Sequence, residues 1–416
     1  MQKESLKLVI VGSVDHGKST LIGRLLYDTN SLPQEKIDEI KKTCQMLGRD
    51  LEFAYLIDHL QEEREKEMTI DTSQTFFKSA MREYIIIDAP GHKEFIQNMM
   101  TGASQADAAV LIIDGSEGVV EQTKRHAYIL NLLAIKNVIV AVNKIDKLNY
   151  DEKKFNTIKN QILEFLEKVA IVPLAVVPIS AKNGDNVVKK SNQISWYQGA
   201  SLLEELDKIA VSHEQKTKNL RLPIQDICKI NGENIILGRI ENGKINCGDQ
   251  VKILPQNNKI KIEKILNFIG SNIVLSKEVG AGYNIGAVFN SNELSRGQVI
   301  CTDNQELPNV DDKIKANIFW LDQNRNYKIG DHISLKCTTQ EIDGIIEKIE
   351  KRINSSNLEL LEKDAKELKH TEVGEVAFNL EKPLVFEDSS ITPELGRFVL
   401  IQNQNVVAGG IIKSKI

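Results

Sequence analysis

The first part of the chain alternates short apolar runs with stretches of helical periodicity. Strand-like runs lie at residues 6–11, 84–87, 108–113, 137–142 and 176–179. Between them, apolar residues recur at helical spacing over residues 18–27, 123–133 and 153–169. Strands that alternate with helices predict a mostly parallel α/β sheet with both faces covered.

After about residue 212 the pattern changes to short β-rich runs. Residues 213–219 are polar and resemble a linker, and glycine turns such as Asn242-Gly243, Cys247-Gly248 and Arg296-Gly297 then separate the runs. Closely spaced strands with such turns predict a small β-barrel. A second β-rich stretch begins near residue 313, and its charged segment 355–370 fits either a helix or an exposed excursion. We predict an α/β domain at 1–212 and β-barrel domains at 213–305 and 306–416.

Composition narrows the function mainly by exclusion. The 416 residues include 53 Lys plus Arg and 58 Asp plus Glu, for a net charge of −5, and residues 306–416 hold 19 acidic against 15 basic side chains. This balance argues against a nucleic-acid partner and against a membrane partner, because both are normally gripped by a basic face. The five cysteines show no CxxC spacing, and no signal-peptide-like apolar region follows Met1. We expect a cytoplasmic protein with free thiols.

A phosphate-binding loop lies between the first predicted strand and the first predicted helix. Residues 12–19 read Gly-Ser-Val-Asp-His-Gly-Lys-Ser and fit the pattern GxxxxGK[ST] in full. The glycines let backbone N–H groups point at phosphate oxygens, Lys18 can reach the β- and γ-phosphates, and Ser19 can ligate Mg²⁺. The predicted phosphate-binding residues are Gly12, Ser13, Val14, Asp15, His16, Gly17, Lys18, Ser19 and Thr20.

Two further segments predict guanine as the base. Asn143-Lys144-Ile145-Asp146 follows the strand at 137–142, and Ser180-Ala181-Lys182 follows the strand at 176–179. Open α/β sheets bind ligands at this end of their strands. Asp146 can accept hydrogen bonds from the N1 and N2 donors of guanine, a pair that adenine lacks, so an adenine would leave the carboxylate unpaired. We therefore predict GTP and GDP as ligands, held also by Asn143, Lys144, Ser180, Ala181 and Lys182.

Hydrolysis is assigned to the residues after the strand at 84–87 and to a threonine upstream. In Asp88-Ala89-Pro90-Gly91-His92, Asp88 can hold the water shell of Mg²⁺, Gly91 can offer its N–H to the γ-phosphate, and His92 can orient the attacking water. Thr69 can close on Mg²⁺ through its hydroxyl, as in GTPase switch loops. We predict His92, Lys18 and Thr69 as catalytic residues, with Ser19 and Thr69 on the metal and Asp88 acting through metal-bound water.

These motifs together resemble those of the translation-factor class of GTPases, of which elongation factor Tu is a member. The segment 98–107, which follows the Pro-Gly-His, is similar to a segment of that class, and so are the two trailing barrels. The resemblance implies a P-loop GTPase domain followed by two β-barrel domains.

Within that class the chain resembles the large, GTP-hydrolysing subunit of heterodimeric sulfate adenylyltransferase. The similar stretches lie at residues 21–29, 319–322, 351–354, 373–376, 382–384 and 396–398. The resemblance implies a small adenylyltransferase subunit of the ATP-pyrophosphatase type as partner, with GTP hydrolysis driving synthesis of adenylyl sulfate from ATP and sulfate.

Three departures from the sulfate-subunit pattern keep alternatives open. Asp15-His16 is the elongation-factor form, and Glu67-Met68 stands where Gly-Ile is usual. A second GxxxxGK[ST] motif does not follow the barrels, so we expect no fused adenylyl-sulfate kinase. The Asp15-His16 pair supports the alternative of an elongation-factor-like GTPase that carries aminoacyl-tRNA or another translation substrate. A GTPase of unassigned output is a third hypothesis.

Overall fold

The structure is a computed structural model that describes residues 5–32, 35, 37–38, 53, 74–87, 106–210, 219–230, 233–269, 272–289, 294–303, 306–323 and 325–415. The chain divides into two compact units, Met1–Val211 (unit 1) and Ser212–Ile416 (unit 2). The predicted boundary between the two barrels, at residues 305 and 306, stays a prediction.

Unit 1 is built on one sheet and the helices beside it. Its strands are β1 (Ser5–Val11), β2 (Gln74–Lys78), β3 (Glu83–Ile87), β4 (Ala108–Asp114), β5 (Asn137–Asn143) and β6 (Ala175–Pro178). Its α-helices are α1 (Lys18–Asp28), α2 (Glu121–Leu132), α3 (Glu152–Lys168) and α4 (Leu202–Asp207), with short 3₁₀ turns at Ile145–Leu148 and Asn192–Ile194. The strand order is β2-β3-β1-β4-β5-β6. Only β2 runs antiparallel to its neighbour; the other pairs are parallel.

The hydrophobic pattern explains this sheet. All seven positions of β4 are buried, and all but the last, Asp114, are apolar, because a central parallel strand is covered on both faces. Helix α3 instead buries one stripe, which includes Phe155, Ile162 and Phe165, and the side chain of Asp151 caps its first turn. The carboxyl ends of the parallel strands share one edge, so the loops after β1, β5 and β6 meet there.

The first barrel of unit 2 is a closed antiparallel ring. Its strands are β7 (Leu222–Ile230), β8 (Glu233–Arg239), β9 (Lys244–Asn246), β10 (Gln250–Leu254), β11 (Asn258–Ile269), β12 (Asn272–Ser276), β13 (Glu278–Gly280), β14 (Asn284–Phe289) and β15 (Val299–Thr302). The order is β10-β15-β7-β8-β14-β11-β12, and pairing of β10 with β11 closes the ring. Closure leaves β12 as an added outer strand.

The second barrel closes in the same way. Its strands are β16 (Asn309–Trp320), β17 (Tyr327–Lys328), β18 (His332–Cys337), β19 (Gln340–Asn354), β20 (Leu360–Ala365), β21 (Glu367–Leu368), β22 (Glu372–Phe386), β23 (Arg397–Gln402) and β24 (Asn405–Lys415), with a short helix α5 at Pro393–Gly396. The order is β18-β23-β24-β16-β22-β19-β20, and β18 pairs with β19 to close it. The predicted fold class, a P-loop α/β domain followed by two β-barrels, is confirmed.

The charged segment 355–370 is not a helix, which corrects one of the two structures considered for it. β20 and β21 occupy half of it, and β20 pairs with β19. Its Leu, Glu and Lys residues favour a helix locally, but cross-strand partners outweigh that preference. Among these partners are the ion pairs Lys348–Asp364, at 2.6 Å, and Arg352–Glu362, at 3.0 Å.

A buried polar network joins the two barrels within unit 2. Arg221 and Glu387 form an ion pair through two nitrogen–oxygen contacts, one at 2.6 Å and one at 3.1 Å. Neither side chain is more than 7% exposed. Thr392 Oγ1 donates to Glu387 and accepts a hydrogen bond from Asn242. An apolar cluster accompanies the network, and its buried members are Leu254, Val299, Cys301, Val385 and Leu395.

Among the described residues, no helix combines the length and the apolar character needed to cross a membrane.

Candidate functional site

The phosphate loop leaves β1 and enters α1 through two left-handed residues. Asp15 has φ 62° and Gly17 has φ 92°, a region that glycine adopts without strain. A Cβ on Gly12 would lie 2.5 Å from the Ile112 carbonyl oxygen. The backbone of the loop therefore packs directly against β4, and the glycine at position 12 is required by space.

Lys18 lies at the start of α1 and turns back over this loop. Its ammonium donates to the carbonyl oxygens of Gly12 and Ser13, each at 2.8 Å. Burial lowers the pKa of Lys18 to about 8, while the carboxylate of Asp15 acts in the opposite direction. The side chain is still mostly cationic at pH 7, and it lies where a bound polyphosphate would meet the loop.

His16 is buried, and its ring faces the interior of unit 1. Nδ1 lies 3.3 Å from the Ile112 carbonyl oxygen and Nε2 lies 3.4 Å from Glu117 Oε2. The structure therefore puts the imidazole among protein groups, so any contact of His16 with a phosphate would come from its backbone.

Asn143, at the end of β5, joins the phosphate loop to the 180–182 loop. Its Nδ2 donates to the His16 carbonyl oxygen at 2.9 Å, and its Oδ1 accepts from the Ala181 N–H at 2.9 Å. A Cβ on Gly17 would collide with that Nδ2. One amide thus fixes two predicted binding loops against each other, and it uses both of its polar atoms to do so.

Lys144 is held by a buried carboxylate that the motif analysis did not identify. Its ammonium contacts Asp114 Oδ2 at 2.7 Å and donates to the Asp15 carbonyl oxygen. Asp114 is 1% exposed, and its Oδ1 accepts from the N–H and hydroxyl of Ser116. Burial acts to raise the pKa of Asp114, but hydrogen bonds from Lys144 and Ser116 outweigh it and hold that pKa below its ordinary value. The sequence feature that could have identified Asp114 is its position as an acidic residue at the end of an otherwise apolar strand.

The predicted base-binding residues lie in adjoining turns. Asp146 is half-buried in the 3₁₀ turn after Lys144, and the N–H of Ile145 donates to the Ile179 carbonyl oxygen at 3.2 Å. Ser180 is buried, and its hydroxyl accepts from the Asn183 N–H at 3.3 Å. Lys182 is exposed, and its carbonyl oxygen accepts from Arg24. The structure thus brings both base-side loops to the edge where the phosphate loop lies.

The remaining predicted residues divide between the first turn of α1 and the undescribed part of the chain. Ser19 and Thr20 are half-buried at the start of α1, Ser13 is half-buried, and Val14 is 41% exposed. Thr69, Asp88, Gly91 and His92 lie outside the described residues, as do Glu67 and Met68. Of the predicted metal ligands, the structure therefore describes Ser19 alone.

A cleft of about 290 Å³ opens on the first barrel of unit 2. It lies between β7, β8 and β14, and its lining includes Gln225, Asp226, Leu237, Asn284 and Arg296. Arg296 donates to the Gln225 carbonyl oxygen at 3.2 Å. In the sequence Arg296 stands out only as part of a turn, because the strands that form the cleft come together only in the closed barrel.

Three protein families match successive parts of the chain. Residues 3–212 match the family described as Elongation factor Tu GTP binding domain, and residues 234–301 match Elongation factor Tu domain 2. Residues 313–413 match the family described as GTP-eEF1A C-terminal domain-like.

Full-length relatives show the same similarity. An Elongation factor 1-alpha from Pyrococcus horikoshii is 38% identical over 424 residues, which cover 99% of this chain and 98% of the relative. One from Methanopyrus kandleri is 36% identical and covers 99% and 97%. The solved structure of sup35 complexed with GDP is 22% identical, covers 100% of this chain and 95% of its own, and has a TM-score of 0.47.

Proposed function

Because the chain belongs to the elongation factor Tu and elongation factor 1-alpha family of translation GTPases, we propose that it carries aminoacyl-tRNA in its GTP-bound state. The observation that carries this proposal is the similarity from end to end, 38% identity over 99% of the chain. A GTP-binding domain alone is compatible with many outputs. Here the first barrel matches the family described as Elongation factor Tu domain 2, and the second barrel matches the family described as GTP-eEF1A C-terminal domain-like.

The sulfate-adenylyltransferase hypothesis has weaker support. The third-domain stretches that suggested it, such as 319–322 and 373–376, lie inside residues 313–413, which match the GTP-eEF1A C-terminal domain-like family. The full-length relatives described above are named Elongation factor 1-alpha. Asp15-His16, which departs from the sulfate-subunit pattern, fits the elongation-factor hypothesis. We therefore do not propose a small adenylyltransferase subunit as the partner.

For the nucleotide, we propose the roles that the motifs predict. Backbone N–H groups of the loop 12–17 and the Lys18 ammonium bind the phosphates, and Asp146 and the 180–182 loop bind guanine. Asn143 and Lys144 act by holding these loops together, since their polar atoms contact protein groups. His92 remains our candidate for orienting the hydrolytic water.

The proposed donors fit Mg²⁺. Ser19 offers a hydroxyl and Thr69 would offer another, with Asp88 behind a bound water, and Mg²⁺ prefers such oxygen donors. Within the described part of the chain, no group of three or more His, Cys, Asp and Glu side chains could hold a metal. This agrees with an ion bound largely by phosphate oxygens and water. When bound, Mg²⁺ neutralises charge on the phosphates.

The cleft on the first barrel is our candidate for the aminoacyl end of the tRNA. An aminoacyl ester carries an α-ammonium group next to a phosphodiester. Asp226 offers a carboxylate for the ammonium, and Arg296 offers a guanidinium for phosphate. Leu237 and Ile285 give the cleft an apolar part for the amino-acid side chain.

A retention assay tests the function. Protein loaded with a non-hydrolysable GTP analogue should capture labelled aminoacyl-tRNA, and GDP-loaded protein should not. We expect Asp226→Asn to weaken capture about tenfold, because it removes a charge-assisted hydrogen bond. Asp343→Asn, an exposed aspartate on the second barrel, is the matched control and should leave capture unchanged. The proposal would be overturned if the protein captured no aminoacyl-tRNA and if its GTPase activity rose when an ATP-pyrophosphatase-type adenylyltransferase, ATP and sulfate were added.

A further inference from the structure

Tyr150 connects the two loops proposed to hold the base. Its hydroxyl donates to Asp185 Oδ2 at 3.0 Å and accepts from Asn183 Nδ2 at 3.2 Å. Tyr150 follows Asp146 by four residues in the connection from β5 to α3, whereas Asn183 and Asp185 follow the Ser180-Ala181-Lys182 segment. A single phenol therefore bridges segments more than 30 residues apart in sequence.

The backbone at Tyr150 is fixed in an uncommon conformation. Asn149 has φ 54° and Tyr150 has φ 55°, which is unusual for an aromatic residue. The Tyr150 N–H donates to the Ile145 carbonyl oxygen at 3.0 Å, and Trp196 Nε1 donates to the Tyr150 carbonyl oxygen at 2.8 Å. Such a conformation persists only when its surroundings fix it. The phenol is thus held rigidly next to the turn that carries Asp146.

Electrostatics keep the phenol protonated. Burial raises the pKa of Tyr150, and the carboxylates of Asp185 and Asp146 raise it further, although the hydrogen bond from Asn183 lowers it. The hydroxyl therefore remains a donor to Asp185 throughout the physiological pH range.

The 180–185 segment is held from two sides, by Asn143 at the end of β5 and by Tyr150 in the connection that follows β5. On one side the Asn143 amide accepts from the Ala181 N–H. On the other the phenol of Tyr150 contacts Asn183 and Asp185, and Ser191 Oγ also donates to Asp185. Removing the phenol hydroxyl would leave the Asn143 and Ser191 contacts in place and would remove the two hydrogen bonds that tie Asn183 and Asp185 to Tyr150.

We propose that Tyr150 is a positioning residue for base recognition: its hydroxyl sets the spacing between Asp146 and the 180–182 loop, so that guanine meets both at once. This inference rests on the proposed binding of guanine nucleotides. Guanine offers two donors to Asp146, whereas hypoxanthine lacks the exocyclic amine and offers one. A site whose spacing is loosened should therefore lose more affinity for GDP than for IDP.

Tyr150→Phe tests the proposal because it removes the hydroxyl and keeps the ring. We expect the Kd for GDP to rise about five- to tenfold, because one hydrogen bond to a charged partner is lost. The Kd for IDP should change less than about twofold. Tyr128→Phe, on α2, is the matched control and should change neither. The double variant Tyr150→Phe/Asn183→Ala should bind GDP no more weakly than Tyr150→Phe alone, because both changes break one bridge.

Equal losses of GDP and IDP affinity in Tyr150→Phe, with a lower Tm, would assign the residue a merely structural role and overturn the inference. Unchanged affinity for both nucleotides would overturn it as well. A wild-type protein that binds GDP no better than IDP would remove the proposed guanine function itself, a failure visible before any variant is made.

Discussion

Single buried side chains carry much of the organisation around the nucleotide site. Asp114 holds Lys144, Asn143 joins two loops, and Tyr150 bridges to Asn183. None of these partnerships is visible as a spacing in the sequence, because each joins residues at least 29 positions apart. The motifs predict which residues lie at the site. Which atoms they contact depends on the strand order of the sheet.

His126 gives a prediction for pH dependence. It lies on α2, only 2% exposed, and burial lowers its pKa to about 3, with the positive charges of Lys18 and Arg125 acting in the same direction. An unfolded histidine takes up a proton near pH 6.5, whereas this one stays neutral in the fold. The contribution of the neutral His126 to the free energy of unfolding is therefore complete above pH 6.5 and is lost as the pH falls toward 3.

Because of His126, lowering the pH from 7 to 5 should reduce the free energy of unfolding by about 2 kcal/mol. Urea unfolding at both pH values, at a fixed saturating GDP concentration, measures it. His126→Gln should lose less stability over this range than wild type, whereas the exposed His332→Gln should match wild type. An identical pH dependence in all three proteins would contradict the prediction.

At the level of elements, the strand–loop–helix unit of β1, the phosphate loop and α1 depends on Gly17 as well as on Gly12. Gly17 precedes α1 at φ 92°, and Gly248 has nearly the same φ, 93°. A Cβ on Gly17 would collide with Asn143, whereas one on Gly248 would meet nothing within 4 Å. Gly248 therefore isolates the backbone penalty from the steric one.

We expect Gly248→Ala to cost about 1 kcal/mol of stability and to leave GDP affinity unchanged. Gly17→Ala should suffer the same strain and should also displace the Asn143 amide, lowering GDP affinity by about tenfold or more. Titration calorimetry with GDP separates the two variants. Equal GDP affinity in both would mean that Asn143 adjusts without loss.

The elements recovered from the sequence are those with uninterrupted apolar runs. β1, β4 and β5 could be predicted because buried parallel strands leave little room for polar residues. β2 could not, since it is an edge strand whose Phe76 is 57% exposed, and β20 was ambiguous because its residues favour a helix until β19 pairs with them. Local pattern fails where a long-range partner decides.

For the whole molecule, the ion pair between the barrels of unit 2 sets a further expectation. Arg221 and Glu387 are both buried, so removing one partner leaves an uncompensated charge. We expect Arg221→Met to cost about 3 to 5 kcal/mol, and Arg221→Met/Glu387→Met to recover part of that loss. Lys244→Met, which breaks an exposed pair with Glu278, should cost about 1 kcal/mol or less. Urea unfolding of the full chain compares them, and equal costs for Arg221→Met and Lys244→Met would refute the expectation.

The two hydrogen bonds of Asn143 also matter while the chain is being made. They join His16, Asn143 and Ala181, so the phosphate loop and the base-side loops cannot be assembled until residue 181 has left the ribosome. A nascent chain that ends before that point carries the complete phosphate motif without its base-side support. We therefore expect the proposed nucleotide site to gain this support only after nearly all of unit 1 has been synthesised.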